Sequence, residues 1–367
     1  MLKIIKKLFL VKKVDFKKNI KKEVILYDDF LGDLLKKIIS KENFYVLYTR
    51  FEYINLRILL KLLFSFKLNT INYICEIINE IQPKLVITFI DNDEKFWLLK
   101  KKINNKKIKF VLIQNGWRAD IFKNTKSINK NYYVDDMFFF NKNVAKEFEK
   151  NIYGNSHLIG SFKNNFYALN KMNNNKSTNS FLYISQINPY KKSIDEFKRN
   201  YDGKIISWKK FYEADLVVLK FIAEYCEEKK IKLNILGRNY NNRFKEKEIF
   251  SSFLPNHKFE YIEHKYDFFQ YDEINCYDLL VSIDSTLGYE AIARNIKTCF
   301  FSIRGNILEL KDNDLKFGWP GKIKDTGFFW TNEKNFKIFK KIIDQVNASS
   351  NDQWLNETKG LTDQLMI

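Results

Sequence analysis

Glycine and proline are scarce, 12 and 4 residues in a chain of 367. That is too little turn and linker composition for a disordered or low-complexity protein, and the 45% hydrophobic and 16% aromatic content is ample for packed cores. The four cysteines, Cys75, Cys226, Cys276 and Cys299, stand far apart and form no CxxC pair. A zinc knuckle or disulfide framework is therefore not indicated, and a reducing cytoplasm is the simplest setting. The three histidines, His157, His257 and His264, lack metal-ligand spacing, and no GxSxG, HExxH or Walker lysine motif occurs. No apolar run reaches the ~20 residues that span a bilayer. The opening "MLKIIKKLFLVKK" begins positive, but lysines interrupt its apolar stretch and no small-residue cleavage site follows, so it does not read as a signal peptide. As a helix it would set Ile4, Leu8 and Val11 on one side among lysines. That is a weak pattern for peripheral contact with the inner membrane, weighed against an ordinary amphipathic first element.

Acid is the minority charge: 44 Asp and Glu against 63 Lys and Arg give a net +19. Such a balance suits a polyanionic neighbour, whether nucleic acid, an anionic membrane face or a phosphorylated ligand. The lysines are scattered and no zinc-finger, RRM or helix-turn-helix signature accompanies them, so nucleic acid is not expected.

The chain is long enough for two domains. Short apolar runs at 84–90, 108–113, 136–140, 180–185, 231–236, 277–283 and 297–303 read as buried strands. Between them lie helical patterns such as 213–230, with Leu216, Leu219, Ile222 and Ala223 on one face. This alternation predicts an α/β fold with parallel sheets. It breaks once, at the Asn- and Ser-rich stretch 168–180, which predicts an N-terminal domain over 1–167, a linker over 168–180, a C-terminal domain over 181–345 and a tail over 346–367 that crosses back.

Open α/β sheets bind ligands outside the carboxyl ends of their strands, so strand ends are the candidate sites. "SIDSTLGYEAIAR" places Asp284, Ser285, Thr286 and Gly288 between a strand and a helix. The bland reading is a helix N-cap, worth ~1 kcal/mol. The functional one is a phosphate site at the helix N-terminus, with Glu290 toward a nucleotide ribose. Ser185 and Gln186 end one strand and Arg238 another, where a hydroxyl, an amide and a guanidinium could meet a phosphate. In the first half, Gln114 and Asn115 precede a turn glycine with Arg118 and Asp120 close behind, and Asp91 ends a strand as a candidate catalytic carboxylate. The "DND" at 91–93 supplies too few oxygens for a hard divalent cation. His264 could touch a ligand, though a lone histidine is more often structural.

Taken in order, "VITFIDN", "LIQNGWR", "LIGSFKNN", "LYISQ", "LNILGR", "SIDSTLGYEAIAR", "FGWPG" and "GFFWTN" resemble a family of bacterial surface-polysaccharide (O-antigen) biosynthesis proteins. That family is similar to the β-Kdo glycosyltransferases of GT-B type. The resemblance spans about residues 83–332. It implies two Rossmann-type domains facing each other across a cleft, and a cytoplasmic, metal-independent glycosyltransferase that needs no cofactor beyond its nucleotide-sugar donor. By the same resemblance the donor would be a CMP-activated ulosonic acid such as Kdo, passed with retention through an aspartyl adduct to a glycan or lipid-linked glycan. Ser285, Thr286 and Glu290 would hold the phosphate and ribose, with Arg238 and Ser185 lining the same half-site. Gln114, Asn115 and Asp91 would face the sugar and acceptor. The nucleophile stands open among Asp91, Asp120 and Asp284. The His-Pro dipeptide of related transferases is absent, "GRN" ending the corresponding strand. A CDP-glycerol-type polyol-phosphate transferase and a non-catalytic scaffold of a polysaccharide assembly complex are the alternatives.

Overall fold

The computed structural model describes residues 11, 13–40, 43–49, 52–103, 105–117, 132–168, 177–188, 198–201, 204–238, 243–265, 268–310, 315–321 and 323–365. The chain forms two compact units, one of residues 1–115 and 125–162, the other of 116–124 and 163–367. The described strands are β1 (Lys13–Asp15), β2 (Val24–Tyr27), β3 (Phe44–Leu47), β4 (Tyr53–Asn55), β5 (Leu85–Thr88), β6 (Lys109–Ile113), β7 (Tyr133–Phe139) and β8 (Tyr153–Leu158) in the first unit. In the second they are β9 (Ser177–Ile184), β10 (Lys198–Tyr201), β11 (Lys204–Ser207), β12 (Lys232–Leu236), β13 (Glu260–Ile262), β14 (Tyr277–Ser282), β15 (Thr298–Phe301) and β16 (Trp330–Thr331).

Each unit is built on a parallel six-stranded sheet, ordered β3-β2-β5-β6-β7-β8 in the first and β13-β12-β9-β14-β15-β16 in the second. The strands are near-continuous apolar runs because helices cover both faces of a parallel sheet. Tyr27 of β2, Phe110 of β6, Leu182 of β9, Leu280 of β14 and Phe300 of β15 are all buried. The expected α/β class with parallel sheets is thus the observed one, and each of the seven expected strands coincides with an observed strand to within a few residues. β9 begins at Ser177, inside the stretch read as linker, while residues 169–176 of that stretch lie outside the described residues. The closing helix Asn351–Leu365 belongs to the second unit, where Trp354 packs edge-on against Phe329.

The strand orders fix where each sheet can bind. In the second unit the chain runs outward from β9 through β12 to β13, then returns to place β14 on the other side of β9. That is the doubly wound order of dinucleotide-binding folds, and its connections diverge between β9 and β14. In the first unit the same reversal falls between β2 and β5. A crevice at the carboxyl ends of these strand pairs follows from topology alone.

Candidate functional site

Ser185 and Gln186 leave β9 in the second unit, while Asp284 and Ser285 follow β14, so the switch point is flanked by the two expected motifs. The helix Thr286–Ala293 begins here with Ser285 as its N-cap residue, yet the Ser285 hydroxyl makes no capping hydrogen bond. Its backbone N–H donates to Ser282 Oγ at 3.2 Å. The first N–H groups of the helix, which have no intrahelical acceptor, are left without a side-chain cap. Thr286 is differently employed: its Oγ1 accepts the N–H of Trp117 at 2.8 Å. Trp117 belongs to the same unit, and its ring stacks on Tyr289 at 4.3 Å. Gly288 is required for packing. A Cβ there would come within 2.8 Å of Phe300 and 2.9 Å of Ser282, so only glycine lets the helix lie this close to the sheet.

Asp284 is held by Arg304, whose Nε and Nη2 lie 2.8 and 3.2 Å from its two carboxylate oxygens. Arg304 also meets buried Asp215 at 3.0 Å, donates to the Phe211 carbonyl, and sits 4.3 Å from the Phe211 ring centroid. Burial opposes the Arg304 charge, but the two carboxylates hold its pKa well above the usual value. Burial pushes the Asp215 carboxyl up to about 6 against the pull of Arg304. The turn that opens the switch point is therefore anchored by an ionic triad in which Arg304 and Asp215 are buried and Asp284 is half-buried.

Glu246, buried on the helix Arg243–Phe253, organises the neighbouring strand ends. It accepts from Ser185 Oγ at 2.6 Å, from the Arg238 backbone N–H at 3.0 Å and from the Tyr261 hydroxyl at 3.2 Å. Ser185 Oγ is further engaged by the N–H of Ile187 at 3.1 Å. Gly237 fits because a Cβ would fall 2.1 Å from the Tyr261 hydroxyl. Arg238 then extends over β9, where its exposed guanidinium donates to the Gln186 carbonyl at 2.9 Å. Arg238 is exposed here, while Gln186, Asp284, Ser285 and Thr286 are half-buried. His264 is held by a hydrogen bond to the Gly237 backbone, and burial lowers its pKa.

Glu290 lies deeper. It is buried and accepts the Tyr271 hydroxyl at 2.8 Å, and burial together with that carboxylate pushes the Tyr271 phenol well above its usual range. Arg294 crosses the Tyr271 ring at 5.0 Å and donates to Asn164 Oδ1 at 2.6 Å. The residue expected at a ribose thus sits in a hydrogen-bonded cluster of its own helix and the 271 segment.

In the first unit Asp91, Gln114 and Asn115 are brought together at the ends of β5 and β6. Buried Asp91 accepts the Asn115 N–H at 3.1 Å, and Gln114 Oε1 accepts the N–H of Phe140 at 2.9 Å. Asn115 Oδ1 is buried without a hydrogen-bond partner among the described residues. Asp93 caps the helix Glu94–Lys102 and accepts the Tyr27 hydroxyl at 2.8 Å. Arg118 and Asp120 lie outside the described residues. Sequence reading passed over Asp28, at the end of β2 and so at this unit's own switch point. Asp28 accepts from the Thr49 hydroxyl at 2.5 Å and borders a cavity of about 190 Å³ with Asp29, Phe30, Tyr48 and Glu52. The signal was present as "VILY" followed by two aspartates. Among the described residues no group of three or more His, Cys, Asp or Glu has the placement to hold a metal ion.

Two α/β units of this construction define a protein of the GT-B fold class. Residues 111–366 match the family model described as "putative O-antigen biosynthesis protein". The chain belongs to that family. Among solved structures it resembles UDP-N-acetylglucosamine 2-epimerase from Rickettsia bellii, with 10% identity over 94% of each chain and a TM-score of 0.51. It also resembles a variant of the wall teichoic acid polymerase TagF, with 10% identity over 96% of this chain and 86% of that one and a TM-score of 0.51. A third is MnaA of S. aureus in a co-structure with UDP, 12% identical over 94% of this chain and 92% of that one, with a TM-score of 0.50. No curated protein matches the chain.

Proposed function

We propose that this O-antigen biosynthesis family member is a glycosyltransferase that takes its sugar from a nucleotide donor, with the donor phosphate at the switch point of the second unit. The observation that carries this reading is the uncapped N-terminus of the helix Thr286–Ala293 beside Arg238 and Gln186, at the place where doubly wound sheets bind phosphates. Ser285 contributes a hydroxyl and the helix its N–H groups. Arg238 neutralises the charge that builds on the phosphate as the bond to the anomeric carbon breaks, which asks nothing of a divalent ion.

The motif resemblance favours a CMP-linked ulosonic acid of the Kdo type as the donor. Asp284, clamped through both oxygens by Arg304, serves in this reading as the anchor of the phosphate turn. Asp91, its orientation fixed by Asn115, and Asp120 are then the candidate carboxylates for an aspartyl adduct. The second reading is transfer of a polyol phosphate from a CDP-linked donor, which the fold likeness to a teichoic acid polymerase keeps in play.

Thermal shift with CMP, CDP, UDP and GDP tests the reading. Protection by CMP above the others supports the ulosonic donor, and preference for CDP moves the assignment to polyol-phosphate transfer. A rise with UDP or GDP alone redirects the donor. No protection by any of the four overturns the nucleotide site.

A further inference from the structure

The first unit carries an apolar surface with no cover among the described residues. The helix Leu56–Phe64 follows β4 and buries Ile58 and Leu62 beneath it. Its other side is also apolar: Leu60, Leu63 and Phe64 are exposed, Phe64 at 78%, and Phe66 just past the helix is exposed at 97%. A helix apolar on both sides needs a second partner besides its own core. The segment after β1 lies against the start of this helix, because β1 pairs in parallel with β4 and Asn55 Nδ2 donates to the Lys17 carbonyl at 2.8 Å. It adds two more uncovered side chains, Phe16 at 61% and Ile20 at 75% exposed.

The charge around these side chains has one sign. Between Lys13 and Lys22 there are five lysines and a single acid, Asp15, and residues 53–68 contain no acid at all. Arg57 pairs with Glu80 and Lys61 with Glu76. Lys18, Lys21 and Lys67 form no salt bridge with the described residues, and Lys17 lies near Asp15, whose pKa it helps lower. Exposed aromatic and aliphatic side chains bordered by unpaired lysines form the surface that suits an anionic bilayer, where rings enter the headgroup region and lysines meet lipid phosphates. A protein partner would have to be both acidic and apolar over the same span. No described helix is long and apolar enough to cross a membrane, so attachment here is lateral.

We infer that the face formed by the helix Leu56–Phe64, Phe66 and the segment Phe16–Lys21 docks the protein on an anionic lipid surface. This inference is independent of the donor, since it concerns the first unit alone and needs no nucleotide.

The test is co-sedimentation of the full chain with vesicles of phosphatidylcholine alone and of phosphatidylcholine with phosphatidylglycerol, at about 0.1 M and about 0.5 M salt. The expected result is binding to the anionic vesicles only, weakened at the higher salt. The double variant Phe64→Ser with Phe66→Ser should lose more than about tenfold in partition with an unchanged melting temperature, because both rings are already in solvent. Changing Lys17, Lys18 and Lys21 to Gln should cost about fivefold per charge. No binding, equal binding to neutral vesicles, or full binding by the phenylalanine variant would overturn the inference. So would a wild-type dimer in sedimentation velocity that the phenylalanine variant converts to a monomer, which would give the face to a second copy.

Discussion

Replacing Asp215 with asparagine removes one carboxylate from the ionic triad at the phosphate turn while leaving Arg304 its bidentate contact with Asp284. Burial raises the Asp215 carboxyl from an ordinary 3.8 to about 6. Above pH ~6 the group is ionised in both folded and unfolded chains, and the folded state carries the full cost of burying it. As the pH falls from ~6 toward ~4 the folded chain takes up a proton that the unfolded chain does not, so this group's contribution favours folding by an amount approaching about 3 kcal/mol. Stability from this site is therefore present at low pH and lost as the pH rises through 6. Carboxylates with lowered values, such as Asp136 beside His157 and Asp325 beside Lys316, act in the opposite sense at lower pH, and they are common to both proteins. Urea unfolding, followed by the fluorescence of the tryptophans, of which five of six lie in the second unit, gives the difference between wild type and D215N from pH ~7.5 to pH ~4. The difference should swing toward the wild type on acidification by roughly 2 to 3 kcal/mol. A difference that stays flat over that range would show that Asp215 is held ionised by Arg304 throughout and would refute the burial argument.

Three further outcomes follow from single contacts. Gly288→Ala should cost about 1–3 kcal/mol, since the added methyl meets Phe300 and Ser282 below 3 Å in a packed layer; an unchanged urea midpoint would mean the helix lifts freely from the sheet. Glu246→Ala should destabilise by about 3 kcal/mol and weaken nucleotide binding as well, because Ser185 and the Arg238 N–H lose a charged acceptor. A melting temperature shift without any change in nucleotide affinity would separate Arg238 from the site. Ser285→Ala should move stability by less than about 0.5 kcal/mol, where a working N-cap would cost ~1, while lowering CMP affinity about tenfold; the reverse pattern in calorimetry and titration would return Ser285 to a capping role.

The strands legible in the sequence were those buried on both faces, because "KLVITFI" or "YDLLVSI" has no other economical reading beside a polar turn. The apolar run at β2 stops after the four residues VILY, whereas the run at β5, a strand of the same length, continues through Phe89 and Ile90, so the letters at β2 alone do not distinguish strand from helix. β8, "YGNSHL", is a largely exposed edge with no hydrophobic signal whatever. The strand-end motifs were found because their positions follow from strand boundaries. What each side chain touches did not follow. Glu246 reaches Ser185 across 61 residues of chain, Arg304 comes back to Asp284 from the end of the next strand, and Tyr271 takes Glu290 from a separate helix. Composition could offer Ser185, Gln186, Arg238, Ser285 and Thr286 as equals. Packing then engages the hydroxyls of Ser185 and Thr286, leaves Ser285 without a capping hydrogen bond and leaves Arg238 exposed.

Calorimetric titration of CMP into the wild-type protein and into Arg238→Gln tests the nucleotide site most directly. Arg238 is exposed and the one described hydrogen bond of its guanidinium goes to a backbone carbonyl, so the substitution should leave the fold intact. With the phosphate at the second unit's switch point, loss of the charged donor should weaken CMP by about 10- to 100-fold at unchanged melting temperature. Equal affinity in the two proteins, or no CMP heat in the wild type, would contradict the account.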